Sequence, residues 1–310
     1  MTYRLIKNSL ALAVAAVMIQ PAVASSGLTL EEVIVTAQKR AESLQDVPIS
    51  VSAVGAEKLA DAGIEAVSDL TAYVPNLHTT ETGISTQLRM RGIGSGNDQG
   101  FEQSVGQYVD GIYYGRAQLI RAPFLDLERV EALRGPQSIL FGKNSVAGAL
   151  NMTTAKPTEE FEAHISGAYE PDIDMEEVTA VISGPISENL LGRIAYRSYE
   201  EAGYMVNTFT GEDEPQRDEQ AIRATLVWDA SSDLSVTFKA ERDTFDIKGR
   251  QIEVIEDESN YSGLLSGAFG QPAFDNKLDY QRQADGKDYS RNELENYTLT
   301  LDWQLGENTL

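Results

Sequence analysis

Beyond Pro157 apolar and polar residues alternate with a period of two, and this repeat limits the possible folds more than any other feature. Ile222, Ala224, Leu226 and Trp228 interleave with Arg223, Thr225, Val227 and Asp229. Leu234, Val236, Phe238 and Ala240 interleave with Ser235, Thr237, Lys239 and Glu241, and Tyr297, Leu299, Leu301 and Trp303 with Thr298, Thr300 and Asp302. Weaker alternation covers residues 161–169, 178–183 and 194–199. A period of two sends neighbouring side chains to opposite faces of a strand, so this half reads as about six antiparallel strands, apolar on one face and polar on the other. A water-soluble sandwich shows the same pattern. The connections favour a different architecture: residues 184–189 and 230–233 are short links, whereas 202–217 and 246–292 are long and polar. Short turns at one end and long loops at the other belong to a membrane β-barrel. Trp228 and Trp303 fall at the short-turn end, where an aromatic girdle is expected. Barrels begin at about 8 strands, so the expectation is an incomplete barrel, from a fragment or a truncated product.

The stretch before it, residues 127–157, is a string of turns and short strands. Val130, Ala132 and Leu133 form the apolar part of one strand, which Arg134-Gly135-Pro136 ends sharply because Gly relaxes the backbone and Pro removes a donor. Residues 137–141 leave room for one helical turn. Gly142 and Gly148 punctuate the loop, residues 149–154 read as a second strand, and Pro157 closes the unit. Upstream, residues 47–54 and 87–91 read as strands, 55–62 and 67–74 as short helices, and Asp110-Gly111 as a hairpin turn between 105–109 and 112–114.

The run Glu128-Arg129-Val130-Glu131-Ala132-Leu133-Arg134-Gly135-Pro136, with Ser138, Leu140, Phe141, Gly142 and Gly148-Ala149-Leu150-Asn151, closely resembles the end of the plug domain of TonB-dependent outer-membrane receptors. Ala147 stands where that family usually has the first of two glycines. Residues 91–94 and 109–116 resemble plug segments as well, which makes the resemblance continuous from about residue 31 to 157. It implies an α+β plug at 41–157 followed by the first antiparallel strands of a transmembrane β-barrel at 158–310; the family's barrel has about 22 strands. The implied function is energised uptake of a scarce ligand, most often a ferric siderophore or other iron complex; vitamin B12 and oligosaccharides are other ligands of the family. A signalling receptor would carry an extra periplasmic domain, a passive porin would need no plug, and a soluble enzyme would need a catalytic constellation.

Residues 1–24 read as a secretory signal: Arg4 and Lys7 ahead of the apolar run 10–19, then Ala22-Val23-Ala24 as the cleavage site. Within the next segment, 25–40, lie Glu31, Glu32, Val33, Ile34, Val35, Thr36 and Ala37. This β-branched run can add to the sheet edge of a partner, and it resembles the TonB box, which implies docking of the TonB energy-transducing complex. The implied setting is the bacterial outer membrane, with lipid against the barrel and a periplasmic N-terminus. Resemblance also nominates Arg134, then Arg91, for plug–barrel contacts, pairing with wall carboxylates. Plug loops near Asn76, His78, Ser95, Asn97 and Gln99 are the candidate contacts for an extracellular ligand such as an iron–siderophore.

The chain carries 48 Asp plus Glu against 25 Lys plus Arg, net −23, a surface that repels nucleic acid. It has no cysteine, hence no disulfide and no thiolate metal site. No zinc signature, phosphate loop or nucleophile elbow is present. His78 and His164 stand far apart without triad partners, so neither catalysis nor a cofactor is expected. Seven acidic residues and Arg217 between residues 200 and 219 read as a solvated outer loop.

Overall fold

A computed structural model describes residues 34–36, 40, 42–81, 85–96, 102–253, 255–257, 260–270, 277–286, 288–306 and 308–309. The expected signal segment lies outside them. In the N-terminal half the strands are β1 (Ile34–Val35), β2 (Glu42–Ser43), β3 (Val51–Gly55), β4 (Leu77–Glu81), β5 (Thr86–Met90), β6 (Ile93–Gly94), β7 (Val105–Val109), β8 (Ile112–Tyr113), β9 (Leu127–Arg134) and β10 (Gly148–Thr154). Between them lie helices α1 (Ala56–Asp61) and α2 (Ser138–Phe141) and two 3-10 turns, Asp69–Ala72 and Ala117–Arg121.

The centre is a mixed five-stranded sheet in the order β3-β9-β10-β7-β8. β10 runs antiparallel to β9 and parallel to β7, which buries it on both faces, as its run of apolar and small residues requires. On one face Val54, Val105, Val130, Ala132, Leu150 and Met152 pack with Leu59 of α1, Leu70, Val74, Leu88 and Met90. On the other, Leu133, Ala149 and Tyr108 pack with Val35 and Val47. Asp110 and Gly111 both take positive φ, +47° and +81°, the backbone of the expected two-residue hairpin. Gly148 is fixed by close approach: a Cβ there would stand 2.3 Å from Met90 Sδ and 2.4 Å from the Leu133 carbonyl oxygen. Residues 47–50 fall before strand β3 rather than within it; Pro48 there has no N–H for a ladder.

Beyond residue 157 comes a seven-stranded antiparallel sheet, hereafter the wall. Its strands are β11 (Glu162–Glu170), β12 (Met175–Ser187), β13 (Leu190–Glu201), β16 (Gln216–Ser231), β17 (Leu234–Lys248), β19 (Tyr289–Leu305) and β20 (Asn308–Thr309), paired in that order. The first six are the strands expected from the alternation, each extended at its far end by charged residues. Two long connections carry their own small sheet of β14 (Met205–Asn207), β15 (Glu212–Glu214) and β18 (Gln281–Arg282), and helix α3 (Tyr261–Phe269).

One face of the wall lies against the plug sheet and is polar: Arg197, Arg223, Lys239, Glu241 and Asp243 are buried there. The other face leaves Ile165, Ile182, Ile194, Ile222, Leu226, Trp228, Phe238, Leu299, Leu301 and Trp303 exposed. Withdrawing each such side chain from water is worth about 1.5–3 kcal/mol, so the row sums to the order of tens of kcal/mol. A sandwich would cover this face with a second sheet. Here the polar face is the covered one, which is the arrangement of a membrane barrel. No helix among the described residues is long and apolar enough to cross a membrane.

Candidate functional site

Three regions of the fold carry the chemistry. The first is the N-terminal segment, which the plug holds against its second face. Ile34 pairs with Ser43 and Val35 with Glu42, and Val35 is fully buried among Val47, Tyr108, Leu133 and Ala149. The Thr36 N–H donates to Glu131 Oε1 at 2.7 Å, and its hydroxyl donates to the same oxygen at 3.1 Å. Arg129 Nε donates to Glu131 Oε1 at 2.8 Å and Arg129 Nη2 to Thr36 Oγ1 at 3.1 Å. Asn151 Nδ2 reaches Glu131 Oε2 at 3.2 Å and Thr36 Oγ1 at 3.3 Å. Glu131 has no exposed surface. The ladder places Asn151 opposite Glu131 on adjacent strands, so the cluster is built into the centre of the sheet. Glu31, Glu32, Val33 and Ala37 lie outside the described residues.

The second region is the seam between plug and wall. Asp126 takes both arms of Arg193, Nε and Nη2 each at 2.6 Å, a bidentate pair with fixed orientation. Glu65 receives Arg197 Nη2 at 2.9 Å, while the same guanidinium reaches Glu177 at 2.9 Å and Glu219 at 3.0 Å. Asp69 Oδ2 accepts the N–H groups of Glu65 and Ala66 and so positions Glu65. Burial, with the hydrogen bond and charge of Glu177, pushes the Glu65 carboxyl up to about 7, against the pull of Arg197. Asp110, at its hairpin turn, pairs with Lys239 and accepts the Thr154 N–H at 2.9 Å; Lys239 Nζ also reaches Thr154 Oγ1 at 2.7 Å. Arg223 Nη1 donates to the Leu125 carbonyl at 2.6 Å. A cavity of about 680 Å³ lies along this seam, lined by Leu59, Glu65, Phe124, Asp126, Arg193 and Arg197 among others.

In these pairs the plug supplies acids and the wall supplies bases. Arg91 and Arg134 are the residues nominated for the opposite polarity; Arg91 Nη1 stands 3.4 Å from where a Cβ on Gly135 would be. Arg134 Nη2 donates to the Val51 carbonyl at 3.4 Å. Among the described residues neither makes an ion pair. Neither the acids at 65, 110 and 126 nor their wall partners stand out in the sequence; the inward wall positions appear there only as the polar half of the alternation.

The third region is the outer end. Gln251, from the second long connection, donates through Nε2 to Glu81 Oε2 at 2.6 Å, and Arg121 lies 3.7 Å from the same oxygen. Arg282 joins the two connections, with Nη1 to Glu214 and Nη2 to Asp288, each at 2.6 Å. Glu201, Glu214 and Glu219 are therefore paired with Arg217, Arg282 and Arg197 rather than solvated. His78 is exposed on β4, paired with Arg89, and Asn76 lies at the end of β4 remote from Glu81. Ser95 is buried and takes the Ser104 N–H at 2.8 Å, which closes the base of the loop between them. Asn97 and Gln99 lie outside the described residues.

Residues 43–149 match the TonB-dependent Receptor Plug Domain family. Over 201 residues the chain is 31% identical to the pesticin receptor of Yersinia pestis, covering 63% of this chain and 29% of that protein. Over 151 residues it is 30% identical to the ferrichrome outer membrane transporter/phage receptor of Escherichia coli, covering 46% and 20%. The crystal structure of the ferric yersiniabactin uptake receptor of Yersinia pestis superposes with a TM-score of 0.70 at 23% identity, covering 83% of this chain and 39% of that one. The ferripyoverdine receptor of the Pseudomonas aeruginosa outer membrane gives 0.66 at 19%, covering 87% and 34%. These two likenesses concern the fold. The chain thus spans less than a third of the length of the two curated relatives.

Proposed function

Because this chain belongs to the TonB-dependent receptors, with their plug domain at 43–149 and barrel strands after it, we propose that it takes part in energised uptake of a ferric siderophore across the bacterial outer membrane. The observation that carries the reading is the plug, seated by Asp126–Arg193, Glu65–Arg197 and Asp110–Lys239 against the polar face of the wall. The names of the relatives, a ferrichrome transporter and a ferric yersiniabactin receptor among them, support an iron complex as cargo. Residues 31–37 are the docking segment for the TonB complex, exported after cleavage beyond Ala24. Ligand enters from the outer end, where Glu81 meets Gln251. The bound ligand favours one plug arrangement over another, and the energised partner acts on the segment that this arrangement releases. Arg134, then Arg91, are assigned to wall carboxylates outside the described residues, since neither makes an ion pair among those described. The fold is that of a receptor, and no catalytic step is assigned to it.

Deleting residues 31–37 tests the reading. Uptake of a radiolabelled ferric siderophore is expected to fall to background while binding of the same complex to whole cells persists. Normal uptake by the deletion variant overturns the assignment of the segment.

A further inference from the structure

We propose that Glu131 is a latch that keeps the N-terminal docking segment closed until the plug moves, an inference that rests on residues 31–37 being that segment. Adding a partner strand requires free main-chain groups along one edge and side chains free to enter pockets. Here β2 occupies one edge of Ile34–Val35, the Thr36 N–H is taken by Glu131 Oε1 at 2.7 Å, and the Val35 side chain is wholly buried. Latch and partner compete for the same atoms.

Glu131 sits in the middle of a strand whose neighbours are Val130, Ala132 and Leu133. Sheet packing alone favours an apolar residue there, since replacing a buried ionic cluster by apolar side chains is often neutral or stabilising. What Glu131 adds is an acceptor for Thr36, Arg129 and Asn151 together, and an ionised acceptor makes the strongest hydrogen bonds. The strands that carry these groups run directly into the seam. Asn151 stands three residues before Thr154, which Lys239 of the wall holds. Arg129 stands three residues after Asp126, which Arg193 of the wall holds. A shift of the plug against the wall therefore reaches the latch through two continuous strands, without a relay of loose loops.

The chain has no cysteine, so a single introduced thiol reports on its own site. In outer-membrane preparations lacking both partner and ligand, Val35→Cys is expected to react slowly with a maleimide. Adding Glu131→Gln is expected to raise that rate about tenfold or more, as loss of a charge-assisted hydrogen-bond set implies. Leu70→Cys, in the other core cluster, reports unfolding of the plug and is expected to stay protected in the Glu131→Gln background. An unchanged Val35→Cys rate with Leu70→Cys protected overturns the latch. If Glu131→Gln exposes both thiols, Thr36→Val decides: it removes the hydroxyl bonds alone, and a faster Val35→Cys rate supports the latch while an unchanged one overturns it. Neither partner nor cargo enters this measurement, so the latch can fail while the docking segment stands, and uptake by the 31–37 deletion tests the segment independently.

Discussion

At Arg197 one guanidinium faces Glu65, Glu177 and Glu219, an excess of negative charge in a half-buried place. The molecule answers by holding a proton: the Glu65 carboxyl lies up at about 7 instead of the ordinary 4.5, through burial first and Glu177 second. For an acid raised in this way, the folded state binds a proton that the unfolded chain has released. The stabilisation is therefore complete below about pH 4.5 and is lost as pH rises towards 7. Urea midpoints of plug unfolding are expected to fall between pH 5 and pH 8, and Glu65→Gln is expected to flatten that dependence; a wild-type midpoint that rises over this range contradicts the assignment. Such residues were beyond the reach of the sequence. Glu65 lies in a run with no motif, and its partner is 132 positions away. Glu131 stood inside the recognised ERVEALRGP run, but its role depends on Thr36, 95 positions earlier. A charge at the centre of an apolar strand was the one available sign.

The elements were far more legible, because each is written in local period and turn chemistry. The first six of the seven wall strands follow the expected order, and the Asp110-Gly111 hairpin closes as its residues demand. What the alternation missed was length: β12 runs over 13 residues, since its outer end carries Glu176 and Glu177 and so leaves the apolar repeat. The second long connection holds a helix, Tyr261–Phe269, and a short strand, Gln281–Arg282, which pairs with β14 in the other connection. At β10 local geometry gives a sharp expectation. Gly148→Ala drives a methyl into Met90 and the backbone of Leu133, and the variant is expected to lose about 1–3 kcal/mol of plug stability, measured as a lowered urea midpoint. Ala147, its neighbour, is fully buried and already carries the extra carbon.

For the molecule as a whole, the question is what holds plug to wall. Asp126 and Arg193 are both about nine-tenths buried and joined through two bonds. Removing Arg193 is expected to cost about 3–5 kcal/mol, because Asp126 is left buried without its cation; removing Asp126 is expected to cost less, because Arg193 keeps Glu162 at 2.6 Å. Removing both costs less than the sum. A double-mutant cycle on Asp126→Ala and Arg193→Ala, read as the urea midpoint of plug release, is expected to show that coupling; strict additivity contradicts a direct role for the pair. The Thr36 contact to Glu131 spans 95 positions and that to Asn151 spans 115, and β3 pairs with the distant β9. Contacts so remote in the chain slow folding and need both segments to have been made. During biogenesis there is accordingly an interval, from the emergence of Thr36 to the arrival of Asn151, in which the segment exists with nothing to close it. The order of synthesis itself sets how long that interval lasts.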